Sequence, residues 1–154
     1  MLGTIMPPEL IRSAERIARI MPADADWWII GSAALALSGI PVQPKDVDVF
    51  AASAVVEPVR LALGVAATPS GSERFRSSPY FQFQPEGALP IDFMGGLEVA
   101  SAGAWVALHI ESRIPVRIGN ATLFIPTLEE QAAILRLFGR PKDLARAALI
   151  ADRK

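Results

Sequence analysis

Two aspartates, Asp46 and Asp48, lie two positions apart at the start of a short apolar segment. Alternate residues of a strand point to the same face, so both carboxylates would project together while Val47 and Val49 face a core. Like charges at this spacing repel one another unless a proton or a cation relieves them. Since carboxylate oxygens are the ligands that Mg²⁺ prefers, the pair indicates a divalent metal site.

A third acid, Asp92, lies inside a second apolar segment between Ile91 and Phe93. A carboxylate is costly to bury without a partner, and an arginine is one alternative partner. If the two segments form neighbouring strands, Asp92 joins Asp46 and Asp48 around one or two Mg²⁺ or Mn²⁺ ions. Carboxylate clusters of this kind serve two-metal phosphoryl transfer.

The dipeptide Gly31-Ser32 separates a predicted strand from a predicted helix. Glycine lets the backbone approach a phosphate closely, and a helix N-terminus offers free N–H groups and partial positive charge. Ser32 can cap this helix or bond a phosphate oxygen. On its own such a dipeptide is more often only a helix cap. Here it supports a phosphate-binding site because it precedes the acids in the chain.

Hydrophobic periodicity and turn residues divide the chain into alternating elements that must position these groups. Helices are predicted at 8–21, 33–37, 55–63, 128–138 and 142–151, with a capping box at 127–130. Strands are predicted at 27–30, 47–51, 74–76, 80–84 and 89–94, and a hairpin at 115–118 and 122–125. Segment 68–72 reads as a turn and 103–112 as a short helix. The fold class is therefore α/β (α+β): one domain, 1–154, with a mixed β-sheet flanked by helices and a helical C-terminal end.

Composition excludes several classes of protein. The 154 residues are 51% hydrophobic, which favours a packed core over disorder. The sequence has no cysteine and one histidine, His109, so thiol chemistry, cysteine-ligated metals and a Ser-His-Asp triad are not expected. All three tryptophans, Trp27, Trp28 and Trp105, are expected in the core. The net charge of −1 gives no overall attraction to nucleic acid, although the C-terminal end is basic.

The N-terminal residues show no signal-peptide pattern. The longest apolar stretch, 27–37, is shorter than the roughly 20 residues that a membrane helix needs. The sequence therefore predicts a cytoplasmic protein without membrane contact.

Together these segments resemble the nucleotidyltransferase superfamily with the DNA polymerase β-like fold. Its signature is Gly-Ser or Gly-Gly at a helix start, then Asp-x-Asp on the next strand, then a third acid on a later strand. The similarity is greatest to a small bacterial branch related to abortive-infection nucleotidyltransferase toxins. It spans roughly residues 25–150 and is carried by Gly31-Ser32-Ala33-Ala34, Lys45-Asp46-Val47-Asp48 and Arg140-Pro141-Lys142-Asp143.

The resemblance implies metal-dependent transfer of a nucleoside monophosphate from a nucleoside triphosphate, such as ATP, to an acceptor. Asp46 and Asp48 would ligate Mg²⁺ or Mn²⁺, and Asp92 would complete the second metal site and help to deprotonate the acceptor. Gly31 and Ser32 would hold the β- and γ-phosphates. Lys142 would reach a phosphate as a point charge, although it could instead be a helix-start lysine balanced by Asp143.

Two arginines on a predicted strand, Arg74 and Arg76, are candidates for the triphosphate tail and equally for solvent-facing charges. The acceptor stays open between a small molecule, an RNA and a protein. A toxin of a toxin–antitoxin pair is one version of this function, with an antitoxin or a second copy of the chain as partner. The alternative function is a non-catalytic nucleotide- or partner-binding module of the same fold.

Overall fold

The computed structural model describes residues 6–69 and 71–153. The described helices are α1 (Pro8–Ile20), α2 (Gly31–Leu37), α3 (Ser53–Leu63), α4 (Leu128–Phe138) and α5 (Pro141–Ala151). The described strands are β1 (Trp27–Ile30), β2 (Val47–Ala51), β3 (Phe75–Arg76), β4 (Tyr80–Phe83), β5 (Ile91–Gly95), β6 (Glu98–Ser101), β7 (Ala104–Ala107), β8 (Ile114–Ile118) and β9 (Ala121–Ile125). The ends of the predicted domain 1–154, and Ser70 in the predicted turn 68–72, lie outside the described residues.

A four-stranded mixed sheet in the order β1-β2-β5-β4 forms the centre of the molecule. Strands β2 and β5 are parallel, and β1 and β4 run antiparallel to them. The register places Asp48 directly opposite Asp92. The predicted mixed sheet with flanking helices and a helical C-terminal end is confirmed.

The two faces of this sheet have different neighbours. One face carries Val47, Val49, Ile91 and Phe93, all buried in the main core. Helix α1 adds to this core through Leu10, Ala14 and Ile17, which recur at helical spacing on its buried face. The other face carries the acids and, further along, a second cluster that includes Ile30, Phe50 and Phe138. Strand alternation therefore separates the packing residues from the charged ones.

The two C-terminal helices meet at Gly139, which ends α4 in the left-handed conformation with φ 72°. Thr127 caps α4, because its side chain accepts a hydrogen bond from the Glu130 backbone N–H. Only this half of the predicted capping box forms. The Glu130 carboxylate accepts hydrogen bonds from the backbone N–H groups of Glu111 and Ser112, which anchors the preceding loop to α4.

The short helix predicted at 103–112 is wrong. Residues 104–107 form β7, which pairs antiparallel with β6 in a three-stranded sheet with β3. The turn between them places Ala102 at φ 51° and Gly103 at φ 80°. A two-residue hairpin turn of this kind usually contains Asn-Gly or Asp-Gly. Because alanine stands at its first position, the usual sequence signal of a hairpin is missing here.

The prediction that Trp105 belongs to the core is also wrong. Trp105 lies on β7 with 38% of its surface exposed, and the Arg76 guanidinium covers its ring at 4.2 Å. Trp27 is buried as predicted, and the half-buried Trp28 donates its indole N–H to the Ser112 carbonyl. None of the helices within residues 6–69 and 71–153 combines the length and the hydropathy that a membrane-spanning helix requires.

The hairpin predicted around Gly119-Asn120 is confirmed as β8 and β9. Gly119 has φ 57°, as expected when glycine takes the first central position of a type II′ turn. The hairpin packs against α1, and Leu123 and Ile125 bring its inner face into the main core.

Candidate active site

The three predicted acids meet at one end of the central sheet. Asp46 precedes β2, Asp48 lies within it, and Asp92 lies at the facing position of β5. Each carboxylate offers an oxygen within 4.8 Å of those of the other two. Parallel pairing of β2 and β5 and strand alternation together produce this geometry.

Asp92 is 6% exposed and is held in place from the neighbouring strand. Its Oδ1 accepts a hydrogen bond from the Tyr80 hydroxyl at 2.9 Å and another from Gln82 Nε2 at 3.0 Å. Gln82 lies opposite Asp92 in the β4–β5 register, and Tyr80 lies two residues away on the same face of β4. Two donors from β4 thus fix the orientation of the third acid.

Crowding of the acids changes their ionisation. Burial, followed by the charges of Asp46 and Asp92, raises the pKa of Asp48 to about 8. Burial and the charge of Asp92 also raise the pKa of Asp46, while Lys142 and Arg146 act in the opposite direction. Burial and its hydrogen bond to Asp92 raise the pKa of Tyr80 to about 12, so the hydroxyl stays protonated and donates. The cluster therefore carries repulsion that a bound cation would relieve.

The donor set suits a hard divalent cation. Three carboxylates supply only oxygen ligands, as Mg²⁺ and Mn²⁺ prefer. A bound cation would favour the ionised form of Asp48, which burial and the neighbouring acids disfavour. Asp46, Asp48 and Asp92 are the residues that would hold such an ion.

Gly31 lies directly beside the acids, between β1 and the main body of α2. Its φ is 72°, a conformation that favours glycine, and a Cβ at this position would lie 2.9 Å from Asp48 Oδ2. Ser32 follows it on the wall of the same cleft. Among the described residues, no side chain caps the first turn of α2. The structure thus brings Gly31 and Ser32 to the acids, and the absence of a side chain at Gly31 permits the close packing of Asp48.

Asp46 and Asp48 line a cleft of about 510 Å³ that has an apolar part and a basic wall. Phe75, Met94 and Leu97 contribute to the apolar part. The basic side chains in the lining are Lys45, Arg140, Lys142 and Arg146. The last three belong to α5 or its N-cap, so the basic C-terminal end of the sequence faces the acidic end of the sheet.

Lys142 and Arg146 lie one helical turn apart on α5, and both lower the pKa of Asp46. Asp143 does not balance Lys142: its buried carboxylate accepts hydrogen bonds from the Arg140 side chain and backbone N–H. Arg140 also lies over the Phe75 ring at 4.8 Å. This arrangement holds Arg140 in the structure and leaves Lys142 directed toward the acids.

The two strand arginines lie in other surroundings. Arg74 Nη1 donates a hydrogen bond to the Phe138 carbonyl at 2.8 Å, at the end of α4, and its side chain lines a shallow depression with Ser72 and Glu73. Arg76 forms an ion pair with Glu98 at 2.6 Å and stacks on Trp105. Arg74 therefore has its partner at the end of α4, and Arg76 has its partners in the three-stranded sheet β3-β6-β7.

Sequence reasoning missed Tyr80, Gln82 and Arg146. A signal for the first two was present, because Tyr80, Gln82 and Gln84 alternate with two phenylalanines and must share a face of a strand. Arg146 was detectable from its spacing of four residues from Lys142 on a predicted helix. What the sequence did not show is that this strand pairs with β5 and that this helix packs beside the acids.

Comparisons with solved structures identify the fold. A putative nucleotidyltransferase, TM1012 from Thermotoga maritima, superposes with a TM-score of 0.76 at 19% identity, over 97% of this chain and 97% of that one. The lincosamide antibiotic adenylyltransferase LnuA, solved with lincomycin bound, superposes with a TM-score of 0.55 at 11% identity, over 97% of this chain and 99% of its own. No protein-family model and no curated protein sequence matches the chain. The chain has the nucleotidyltransferase fold, as the resemblance of its motifs implied.

Proposed function

We propose that this chain, which has the nucleotidyltransferase fold, transfers a nucleoside monophosphate from a nucleoside triphosphate to an acceptor hydroxyl. The observation that carries the proposal is the meeting of Asp46, Asp48 and Asp92 within 4.8 Å of one another. Three mutually repelling acids, one of them almost fully buried, are costly to a fold. A metal-dependent reaction would explain this costly cluster, whereas core packing would not.

The acids would hold one or two Mg²⁺ ions, which supply charge neutralisation at the α-phosphate and the triphosphate tail. Asp46 and Asp48 present their carboxylates from β2, and Asp92 presents its own from β5. The hydrogen bonds from Tyr80 and Gln82 keep Asp92 aimed at the cluster. A fixed carboxylate at this position is suited to accept the proton of the attacking hydroxyl.

The opposite side of the cleft supports the triphosphate. Lys142 and Arg146 supply positive charge for the β- and γ-phosphates. Gly31 and Ser32 present backbone next to Asp48 and are the proposed contacts on the other side of the tail. In the reaction, the acceptor oxygen forms a bond to the α-phosphorus, and the bond to the β-bridging oxygen breaks. Pyrophosphate leaves with the electron pair of that bond, and the proton of the hydroxyl moves to Asp92.

The comparison with LnuA is consistent with this reaction class, since adenylyl transfer is one form of nucleotidyl transfer. At 11% identity it extends to the fold and not to the acceptor. Which nucleoside triphosphate the protein uses is therefore to be measured, with each of the four as donor.

The proposal is tested by following both ends of the triphosphate. Purified protein with Mg²⁺ is incubated with each nucleoside triphosphate, labelled at the α- or the γ-phosphate, and with pools of acceptors. Label from the α-position is expected on a new product, and label from the γ-position in pyrophosphate. Transfer of the γ-label to the acceptor would identify a phosphotransferase and overturn the proposal.

The matched control is Asp48→Asn, which keeps the shape of the side chain and removes its charge. Loss of a metal-holding carboxylate is expected to cost several kcal/mol at the transition state, hence roughly 100-fold or more in rate. A variant that transfers nucleotide as fast as the wild type would show that the acids are not catalytic and favour the non-catalytic binding module.

A further inference from the structure

The turn between α4 and α5 connects the three-stranded sheet β3-β6-β7 to the basic wall of the cleft. This corner, residues 138–140, directly precedes the first residue of α5, and Lys142 lies in the first turn of that helix. Arg146 lies one turn further along α5. Both basic side chains line the cleft. Because they extend from one continuous helix, the position of the corner determines where their charges lie.

The start of α5 needs support from outside the two helices. Ala147 packs the middle of α5 into one cluster with Leu135 of α4, but its first turn follows Gly139, which ends α4 with φ 72° and restricts the backbone little. The last carbonyl groups of a helix have no partner within it, and the Phe138 carbonyl is one of these. It accepts a hydrogen bond of 2.8 Å from Arg74 Nη1. A guanidinium in this place also interacts favourably with the negative end of the helix dipole.

Two neighbouring residues at the edge of the three-stranded sheet hold the corner. Arg74 is anchored to the sheet, because its carbonyl accepts a hydrogen bond from the Ala100 N–H on β6. The Phe75 ring meets the Phe138 ring edge-on, with 5.0 Å between the ring centroids. The Arg140 guanidinium also lies over the Phe75 ring, at 4.8 Å. The corner is thus attached to the sheet through both its first and its last residue.

The Arg74 guanidinium contacts the corner and not the cleft. Arg74 is absent from the described residues that line the cleft, and a Cβ on Gly139 would lie only 3.2 Å from Arg74 Nη1. We infer that Arg74 is a positioning residue: it fixes the start of α5 and thereby places Lys142 and Arg146 at the β- and γ-phosphates of the nucleotide. This inference rests on the proposed function, in which those two side chains bind the triphosphate tail.

A positioning role predicts a specific loss. Without the contact from Arg74, the charges of Lys142 and Arg146 are placed less well for the two terminal phosphates, whereas the acids keep their positions. Binding of a nucleoside triphosphate should therefore weaken, and binding of the corresponding monophosphate, which lacks those phosphates, should not. A residue that only supports the fold would lower the melting temperature and leave this preference for the triphosphate unchanged.

The first test compares Arg74→Met with Arg76→Met. Each variant loses one guanidinium and keeps an unbranched side chain, but Arg76 pairs with Glu98 and Trp105 instead of the corner. Binding is measured in Mg²⁺ without acceptor, using the nucleoside triphosphate that most stabilises the wild type, with its monophosphate as competitor. Arg74→Met is expected to weaken triphosphate binding roughly tenfold and to leave monophosphate binding unchanged. Arg76→Met should change neither; an equal loss in both variants would assign the effect to distant charge and overturn the inference.

A second pair of variants disturbs the same contact from the side of α4. Gly139→Ala brings its Cβ against Arg74, whereas Gly64→Ala, at the matching position after α3 with φ 69°, meets open space. Both carry similar backbone strain, so triphosphate binding should weaken in Gly139→Ala alone. In the Arg74→Met background, Gly139→Ala should add no further loss; additive losses would show that Arg74 acts apart from the corner and contradict the inference. If Arg74→Met does not fold, the comparison of the two glycine variants decides.

The outcomes separate this inference from the proposed function. Wild-type protein that binds no nucleoside triphosphate in Mg²⁺ would contradict both. If the wild type binds it, and Arg74→Met and Gly139→Ala bind it equally well, Arg74 only supports the three-stranded sheet and the proposed function stands. The same conclusion holds if Arg74→Met loses triphosphate and monophosphate binding to the same extent.

Discussion

Val49 and Phe93 on one face of β2 and β5 are completely buried in the main core. Asp48 and Asp92, one residue before each of them, lie on the opposite face, where Asp48 lines the cleft. The backbone pairing is the same for both faces, so the difference is one of side chains alone. The apolar face gains free energy from packing, while the acidic face contains groups whose charges oppose folding. We therefore expect substitutions on the first face to destabilise the fold and substitutions on the second to change chemistry and pH response.

The largest effect is expected for Phe93→Ala. Phe93 is fully buried and stacks on Phe81 with 4.6 Å between ring centroids. Truncating a buried phenylalanine costs about 3–5 kcal/mol through lost transfer free energy and the cavity left behind. Urea denaturation measures the loss, and Phe93→Leu, which leaves a smaller cavity, serves as the control. A cost below about 1 kcal/mol would show that the buried face is not the stabilising one.

The next effect is a change in pH dependence in the metal-free protein. An unfolded chain releases the Asp48 proton near its usual pKa of 3.8, and the folded chain holds it up to about pH 8. Between these values the folded state binds more protons, so the free energy of unfolding falls as pH rises from about 4 to about 8. Stability is thus highest below the lower value and lowest above the upper one.

Asp48→Asn removes most of this slope and stabilises the metal-free protein at pH 8, by roughly a few kcal/mol. Thermal melts with a chelator at pH 5, 6, 7 and 8 measure it in the variant and the wild type. If the melting temperatures of the two proteins change with pH in parallel, Asp48 is already ionised in the folded protein. The acidic face would then oppose folding less than the structure indicates.

A smaller loss of stability is expected for Gly31→Ala, where the backbone approaches Asp48. Gly31→Ala introduces strain at φ 72° and a Cβ only 2.9 Å from Asp48 Oδ2. Gly64 has nearly the same φ, 69°, and open space around the position of a Cβ, so Gly64→Ala is the matched control. Each substitution costs about 1–2 kcal/mol of backbone strain. Only Gly31→Ala should also reduce nucleotide transfer; a loss of activity in both would point to the fold and not to the contact with Asp48.

The smallest effect is expected for Tyr80→Phe, which removes the hydroxyl that donates to Asp92. The lost hydrogen bond is worth about 0.5–1.5 kcal/mol, and Gln82 still holds the same oxygen. We expect kcat to fall roughly three- to tenfold with little change in the KM for nucleotide. Gln82→Leu is the companion variant. A change confined to melting temperature, with kcat intact in both, would make the two donors structural.

The contrast between the faces was largely readable from the sequence. Asp46-Val47-Asp48-Val49 alternates acid and valine, and strand geometry alone assigns these to opposite faces. Asp92 between two large apolar residues marked the second strand in the same way. Because each segment is short and apolar on its buried face, its local pattern agreed with the final fold. Strands β1 and β2 formed within the predicted bounds, and β5 begins two residues later and ends one residue later than predicted.

The remaining errors arose where long-range packing decided the outcome. The β6–β7 hairpin turns at Ala102-Gly103, where alanine accepts a positive φ without the usual Asn or Asp. Trp105 is covered by Arg76, from a strand about 30 residues earlier, and not by the core. The support of Asp92 by Tyr80 and Gln82 depends on strand pairing between β4 and β5, which no local pattern specifies.

The central claim is that the acid face binds metal and nucleotide, and the most direct measurement is thermal stability with and without these ligands. A ligand that binds only the folded state raises its melting temperature. The wild type should therefore melt higher with Mg²⁺ and nucleoside triphosphate together than with either alone, and Asp48→Asn should start higher in chelator and gain much less. If the wild type shows no such rise and the metal-free variant melts well below it, Asp48 supports the fold and the claim is contradicted.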